Sequence, residues 1–116
     1  MQTGTKLAPG EIPTPVMDEI LQLLQATCYG QIVLVAQDHR LIQVERHEKF
    51  RIVNGQLPQQ ANPLHAPEAL ELEGRIRSSF AALAYGQLTL VVKDGAVAQI
   101  ERVARERFTG LDGEGI

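Results

Sequence analysis

The chain has 116 residues, of which 44% are hydrophobic and 22% charged, with a net charge of −3 at pH 7. That composition is too apolar for a disordered chain, and the charge argues against a nucleic-acid binder. The single cysteine, Cys28, excludes an internal disulfide framework and suits a reducing cytosol. No apolar leader and no run of ~18 apolar residues is present. A soluble, cytoplasmic, bacterial-type domain is expected.

Residues 1–13 contain Gly4, Pro9, Gly10 and Pro13 with little periodicity, and read as a flexible N-terminal tail. A first unit follows over 14–53. Thr14 supplies a cap and Pro15 a first-turn proline. Val16, Ile20, Leu23, Leu24 and Thr27 then recur at helical spacing. The helix is expected to run to Tyr29-Gly30, with Gly30 closing it in the left-handed conformation. A strand, a two-residue turn at Asp38-His39 and a second strand complete the unit. Residues 54–66 are polar and proline-rich and read as a linker. A second unit over 67–108 has the same grammar: Leu72, Ile76, Phe80 and Leu83 at helical spacing, then Tyr85-Gly86, then a hairpin turning at Asp94-Gly95. Residues 109–116 read as a flexible C-terminal tail.

The two units are copies 56 residues apart. YGQIVLVAQDHRLIQVER (29–46) aligns without gaps on YGQLTLVVKDGAVAQIER (85–102), with nine of eighteen positions identical. The register extends upstream through Ile20 over Ile76 and Leu24 over Phe80. Downstream it carries Lys49 over Arg105 and Arg51 over Arg107. Self-similarity at a fixed period marks a repeat of one supersecondary unit. The expected fold is α+β: a tandem αββ-αββ repeat forming a four-stranded, mainly antiparallel sheet. Two helices cover one face, with pseudo-twofold symmetry between units.

With regular two-residue turns, Val35 pairs with Ile42 and Val33 with Val44; Val91 pairs with Ala98 and Thr89 with Ile100. That face is expected beneath the helices. The opposite face carries Ile32, Leu34, Leu41, Leu88, Leu90 and Val97, interspersed with Gln43, Glu45, Gln99 and Glu101. An apolar second face on so small a protein points to an interface, either a homodimer or a protein partner. The linker or the tails are the alternative cover.

The stretch IQVERHEKFRI, following a helix, YGQ and a short hairpin, resembles the YezD-like family of small bacterial proteins. The first unit carries the motif at Gly30, Gln43, Glu45, Arg46, Glu48, Lys49 and Arg51. The second carries Gly86, Asp94, Gly95, Gln99, Glu101 and Arg102, then departs, with Ala104 for the tail glutamate and Arg105 for the lysine. The resemblance covers about three quarters of the chain. It implies a fused version of what is otherwise a homodimer. No defined activity comes with it, only a loose setting among sulfur-assimilation genes.

Candidate chemistry is sparse. Gln43, Glu45, Gln99 and Glu101 share one face, and a carboxylate set among aliphatics can serve as an acid or base; ion pairing at a hairpin end is the plainer reading. Lys49, Arg51, Arg105 and Arg107 could hold an anion or a nucleic-acid backbone, although Glu48 and Glu106 interleave with them. Cys28 aligns with Ala84 and reads as a small core residue. His39, His47 and His65 make no metal signature, and neither a catalytic motif nor a cofactor fingerprint is present. Three function classes remain: a non-catalytic interaction or oligomerisation module, for which the resemblance implies an accessory role in sulfur or related anion metabolism; a nucleic-acid or anion-binding regulator; and a small-ligand binder or enzyme at the Gln-x-Glu faces.

Overall fold

The computed structural model describes residues 10–57 and 66–106. Residues 1–9, most of the linker, Arg107 and the C-terminal tail lie outside that range, as does His65. The chain runs α1 (Thr14–Gln25), β1 (Gly30–Gln37), β2 (Arg40–Glu48), α2 (Ala66–Ala81), β3 (Gly86–Lys93) and β4 (Ala96–Ala104). The strands form one sheet in the order β2-β1-β3-β4, and all three pairings are antiparallel. This is the αββ-αββ architecture that the repeat dictates.

The duplication closes on itself at the centre of the sheet. In the β1–β3 ladder Val33 pairs with Thr89, its own counterpart in the repeat. A pseudo-twofold axis therefore passes through that pair, normal to the sheet. Each unit also grips the other at its turn. The amide of His39 donates to the carbonyl of Ala84, and that of Gly95 to the carbonyl of Cys28, both at 3.0 Å. The Tyr29 hydroxyl donates to Asp94, and the Tyr85 hydroxyl to Asp38. These four residues recur in both units because they join one copy to the other. Asp94, accepting the phenolic hydrogen, pushes Tyr29 above its usual pKa, with desolvation adding to the effect.

The turns fall at the expected positions. Asp38, His39, Asp94 and Gly95 all have positive φ, as a type I′ hairpin requires. The register beyond them is not the expected one. A β-bulge falls between Val35 and Ala36, so Ala36 pairs with Leu41, Val35 with Gln43 and Leu34 with Val44. The second hairpin repeats it between Val91 and Val92. Each bulge shifts the outer strand by one residue and so exchanges its faces.

That shift corrects the assignment of the two sheet faces. Ile32, Leu34, Leu88 and Leu90, expected on an outer interface, are 0% exposed and form the core together with Met17, Ile20, Ile76, Phe80 and Leu83 of the helical segments. Leu41, Val44, Val97 and Ile100 pack against the same core. The physical reason is solvation. A regular ladder would put Gln43 and Glu45 on the same face as Leu34, beneath the helices. Burying an unpaired amide or carboxylate costs several kcal/mol, whereas a bulge gives up one ladder position. Val33 and Val35, expected under the helices, face the other way.

Gly30 and Gly86 do not cap the helices, which end at Gln25 and Ala81. They open β1 and β3 with φ of 149° and 140°. A Cβ at Gly30 would stand 2.0 Å from the carbonyl oxygen of His47, and one at Gly86 2.0 Å from that of Val103. Glycine is required there because the neighbouring strand passes too close for a side chain. Thr14 is the first helical residue, and the N-cap position belongs to Pro13 without a side-chain cap. The expected tail also ends earlier than residue 13. Ile12 is 2% exposed within the core, the amide of Gly10 donates to the carbonyl of His39 at 2.6 Å, and Arg77 donates to the carbonyl of Ile12 at 2.7 Å. The first linker residues form a small turn closed by the Val53–Gln56 bridge.

Candidate functional site: the open face of the sheet

Both helices lie on one side of the sheet, so among the described residues no secondary structure covers the other side. Three complete cross-strand rows make up the middle of this face, with Gln37 and Arg40 beyond one end and Lys93 and Ala96 beyond the other. The middle row, on the pseudo-twofold axis, reads Glu45, Val33, Thr89, Glu101 from β2 to β4. On one side of it lies Gln43, Val35, Gln87, Val103. On the other lies His47, Gln31, Val91, Gln99. Val33 and Thr89 at the centre are only 5% and 9% exposed, so the axis is filled by packed side chains. Gln43, Gln99, Glu101, His47 and Val103 are exposed.

The polar set named from the sequence does share this face. The amide of Gln43 donates to Glu45, and that of Gln99 to Glu101. In the first unit His47 Nε2 lies 3.0 Å from Glu45 Oε1; Val103 replaces it in the second. Glu45 and Glu101 stand three strand spacings apart, about 14 Å between backbones. They cannot work as a catalytic carboxylate pair on one small reacting group. Each is instead held by the glutamine two residues before it.

The basic residues named from the sequence divide. Lys49 continues past β2, its amide donating to the carbonyl of Tyr29 at 2.8 Å, and Arg105 mirrors it on Tyr85 at 2.7 Å. Arg51 places its guanidinium 5.2 Å from the centroid of the Tyr29 ring. Arg46 lies on the helix side of the sheet, where it donates to Ala26 O at 3.1 Å and Thr27 Oγ1 at 3.2 Å and pairs with Glu48 at 2.6 Å. It thus satisfies a carbonyl left over at the end of α1.

Two features escaped the sequence. One is Lys93, which joins Lys49, His47, Tyr29 and Gln31 around a shallow depression of about 220 Å³. The other is an exposed apolar arm: Phe50 is 68% and Ile52 71% exposed, with Val53 and Leu57 also exposed. Cys28 is half-buried rather than in the core and, with Phe50, Arg51 and Leu57, lines a cavity of about 60 Å³. Among the described residues no three His, Cys, Asp or Glu side chains come together as a metal site, and no helix is long and apolar enough to cross a membrane.

The repeat has an external counterpart. A family model described as uncharacterized small protein (DUF2292) matches residues 16–52 and again residues 72–108. The chain belongs to that family. The two DUF2292 matches are themselves 56 residues apart, and each spans one helix and one hairpin, so the chain is two DUF2292 units in tandem. No curated protein and no solved structure matched the chain. Each DUF2292 unit carries its own half of the open face, and the pseudo-twofold axis joins the halves.

Proposed function

We propose that this protein is a non-catalytic interaction module whose open sheet face docks a second copy of the chain. The observation that carries this reading is that face itself. Among the described residues no helix or strand covers it, and Val35, Val91 and Val103 are accessible on it among uncharged glutamines. In its three complete rows only Glu45 and Glu101 carry a full charge; the cations Arg40, Lys49, Lys93 and Arg105 stand at its two ends. An ordinary solvated face would be richer in Lys, Arg, Asp and Glu.

Area and symmetry favour a second copy as the occupant. Four strands and three rows span roughly 20 by 20 Å, or about 400 Å² per partner. A stable interface needs about 800 Å² from each side. The exposed Phe50, Ile52, Val53 and Leu57, in the segment that follows β2, are further apolar surface that a second copy can cover. A twofold pair uses one patch twice and brings two such arms. The resemblance to YezD-like proteins supports an accessory role in sulfur or related anion metabolism, in which this module would assemble rather than react.

Sedimentation equilibrium tests the reading. The wild-type chain is expected to move from monomer to dimer in the micromolar range. Val35→Lys with Val91→Lys, a twofold-related pair on the open face, is expected to stay monomeric with an unchanged circular dichroism spectrum. A wild-type chain that remains monomeric to millimolar concentration would sink the proposal. So would a dimer untouched by those substitutions.

A further inference from the structure

One end of the open face concentrates positive charge in a chain whose net charge is −3. Just beyond the third row stands Tyr29, flanked by Lys49 on the β2 side and by Lys93 at the end of β3. Their odd numbering continues the open-face positions of all three strands. His47 and Gln31 lie one row back, and together with Val91 these residues line the depression of about 220 Å³. Arg51 sits against the Tyr29 ring and adds a third fixed cation. Arg46, Arg75 and Arg77 are each matched with a carboxylate. Among the described residues Lys49 and Lys93 form no ion pair. Two carboxylates stand nearby and keep their charge: Glu45, which accepts from Gln43 and lies against His47, and Asp94, which accepts from the Tyr29 hydroxyl.

We propose that this depression binds a tetrahedral oxyanion, either free or as the phosphoryl group of a small metabolite. Lys49 and Lys93 stand two strand spacings apart, about 10 Å between backbones. Their flexible four-carbon stems let both ammonium groups converge on an anion seated over Tyr29. Gln31 and His47 supply further donors, and charge-assisted hydrogen bonds are the stronger kind. Val91 and the Tyr29 ring give an apolar wall suited to the rest of a phosphorylated molecule.

The pseudo-symmetric end of the face offers an internal comparison. The pseudo-twofold carries Lys49 to Arg105, His47 to Val103, Lys93 to Gln37 and Val91 to Val35, around Tyr85. That end has cations of its own, Arg105 and the Arg40 that pairs with Gln37, and by sequence Arg107 stands for Arg51, but it has neither the central lysine nor the imidazole, so the Tyr29 end is the one proposed to take the anion. The site lies at the rim of the open face and does not rest on the docking of a second copy.

Amide spectra of the full-length ¹⁵N-labelled chain, titrated with phosphate, sulfate or phenyl phosphate at constant ionic strength in chloride, provide the test. Saturable shifts are expected at Tyr29, Gln31, His47, Lys49 and Lys93, and none at Tyr85, Gln37 and Arg105. Lys49→Gln with Lys93→Gln is expected to raise Kd about tenfold or more, and Arg105→Gln to leave it unchanged. Both lysines are exposed, so neither change threatens the fold. Tighter binding of phenyl phosphate than of phosphate assigns the site to a phosphomonoester; equal affinity assigns it to the free ion. Shifts that do not saturate, that appear equally at both ends, or that survive the double substitution overturn the proposal.

Discussion

Leu34→Ala and Val35→Ala are neighbouring changes with opposite expectations. Leu34 is 0% exposed beneath the helices, whereas Val35 is half-buried on the open face. Removing three carbons from a fully buried leucine leaves a cavity and costs about 2–5 kcal/mol. A domain of this size has roughly 5–10 kcal/mol to lose, so a third or more of its stability should go. A loss of ~3 kcal/mol corresponds to a fall in Tm of roughly 15 °C for about 100 residues. Val35→Ala removes less apolar area from a site that is partly wet, and should cost about 1 kcal/mol or less. Urea and thermal unfolding followed by far-ultraviolet circular dichroism measure both. A Val35→Ala variant less stable than Leu34→Ala would mean that the bulges are absent and the two faces are exchanged.

Gly30→Ala should cost more than ~2 kcal/mol, because the added Cβ meets the His47 carbonyl at 2.0 Å at a positive φ. Gly74→Ala, inside α2 with open space around its Cβ, should instead stabilise by roughly 0.5–1 kcal/mol; chemical denaturation distinguishes the two signs. In a Tyr85→Phe variant, spectrophotometric titration reads Tyr29 alone. Its phenol should ionise above the ordinary value of 10.0, and Asp94→Asn should bring it back down. A folded-state pKa raised in this way means that the Tyr29–Asp94 contribution is intact below pH 10 and is lost as pH rises through the folded value. Arg46→Ala, which loses its bonds to Ala26 and Thr27, should cost about 1 kcal/mol and raise amide exchange at the end of α1.

The duplication, both helices and both turns were legible because each rests on a short-range signal: period 3.6, or a dipeptide that tolerates positive φ. The bulges were legible too, though the regular ladder hid them. Leu41 and Val44 are three residues apart, as are Val97 and Ile100, and such pairs cannot share one face of a regular strand. Gln31 and Gln37, at alternate positions from Ile32 and Leu34, also mark which side of β1 is wet. The Tyr29–Asp94 and Tyr85–Asp38 clasps were not legible, since nothing local says that a repeat's tyrosine reaches the other copy's turn. The same holds for Lys93, which is brought beside Lys49 only by the central β1–β3 pairing. Ile12 falls within the expected tail because an isolated apolar residue carries no periodicity.

Amide spectra of the ¹⁵N-labelled chain, recorded from dilute to concentrated solution in chloride, test the open face most directly as a surface for a second copy. The expected result is concentration-dependent shifting or broadening confined to Gln31, Val33, Val35, Gln43, Glu45, Gln87, Thr89 and Val91, together with the exposed Phe50 and Ile52. Spectra that do not change with concentration, or changes that map to α1 and α2, would contradict it.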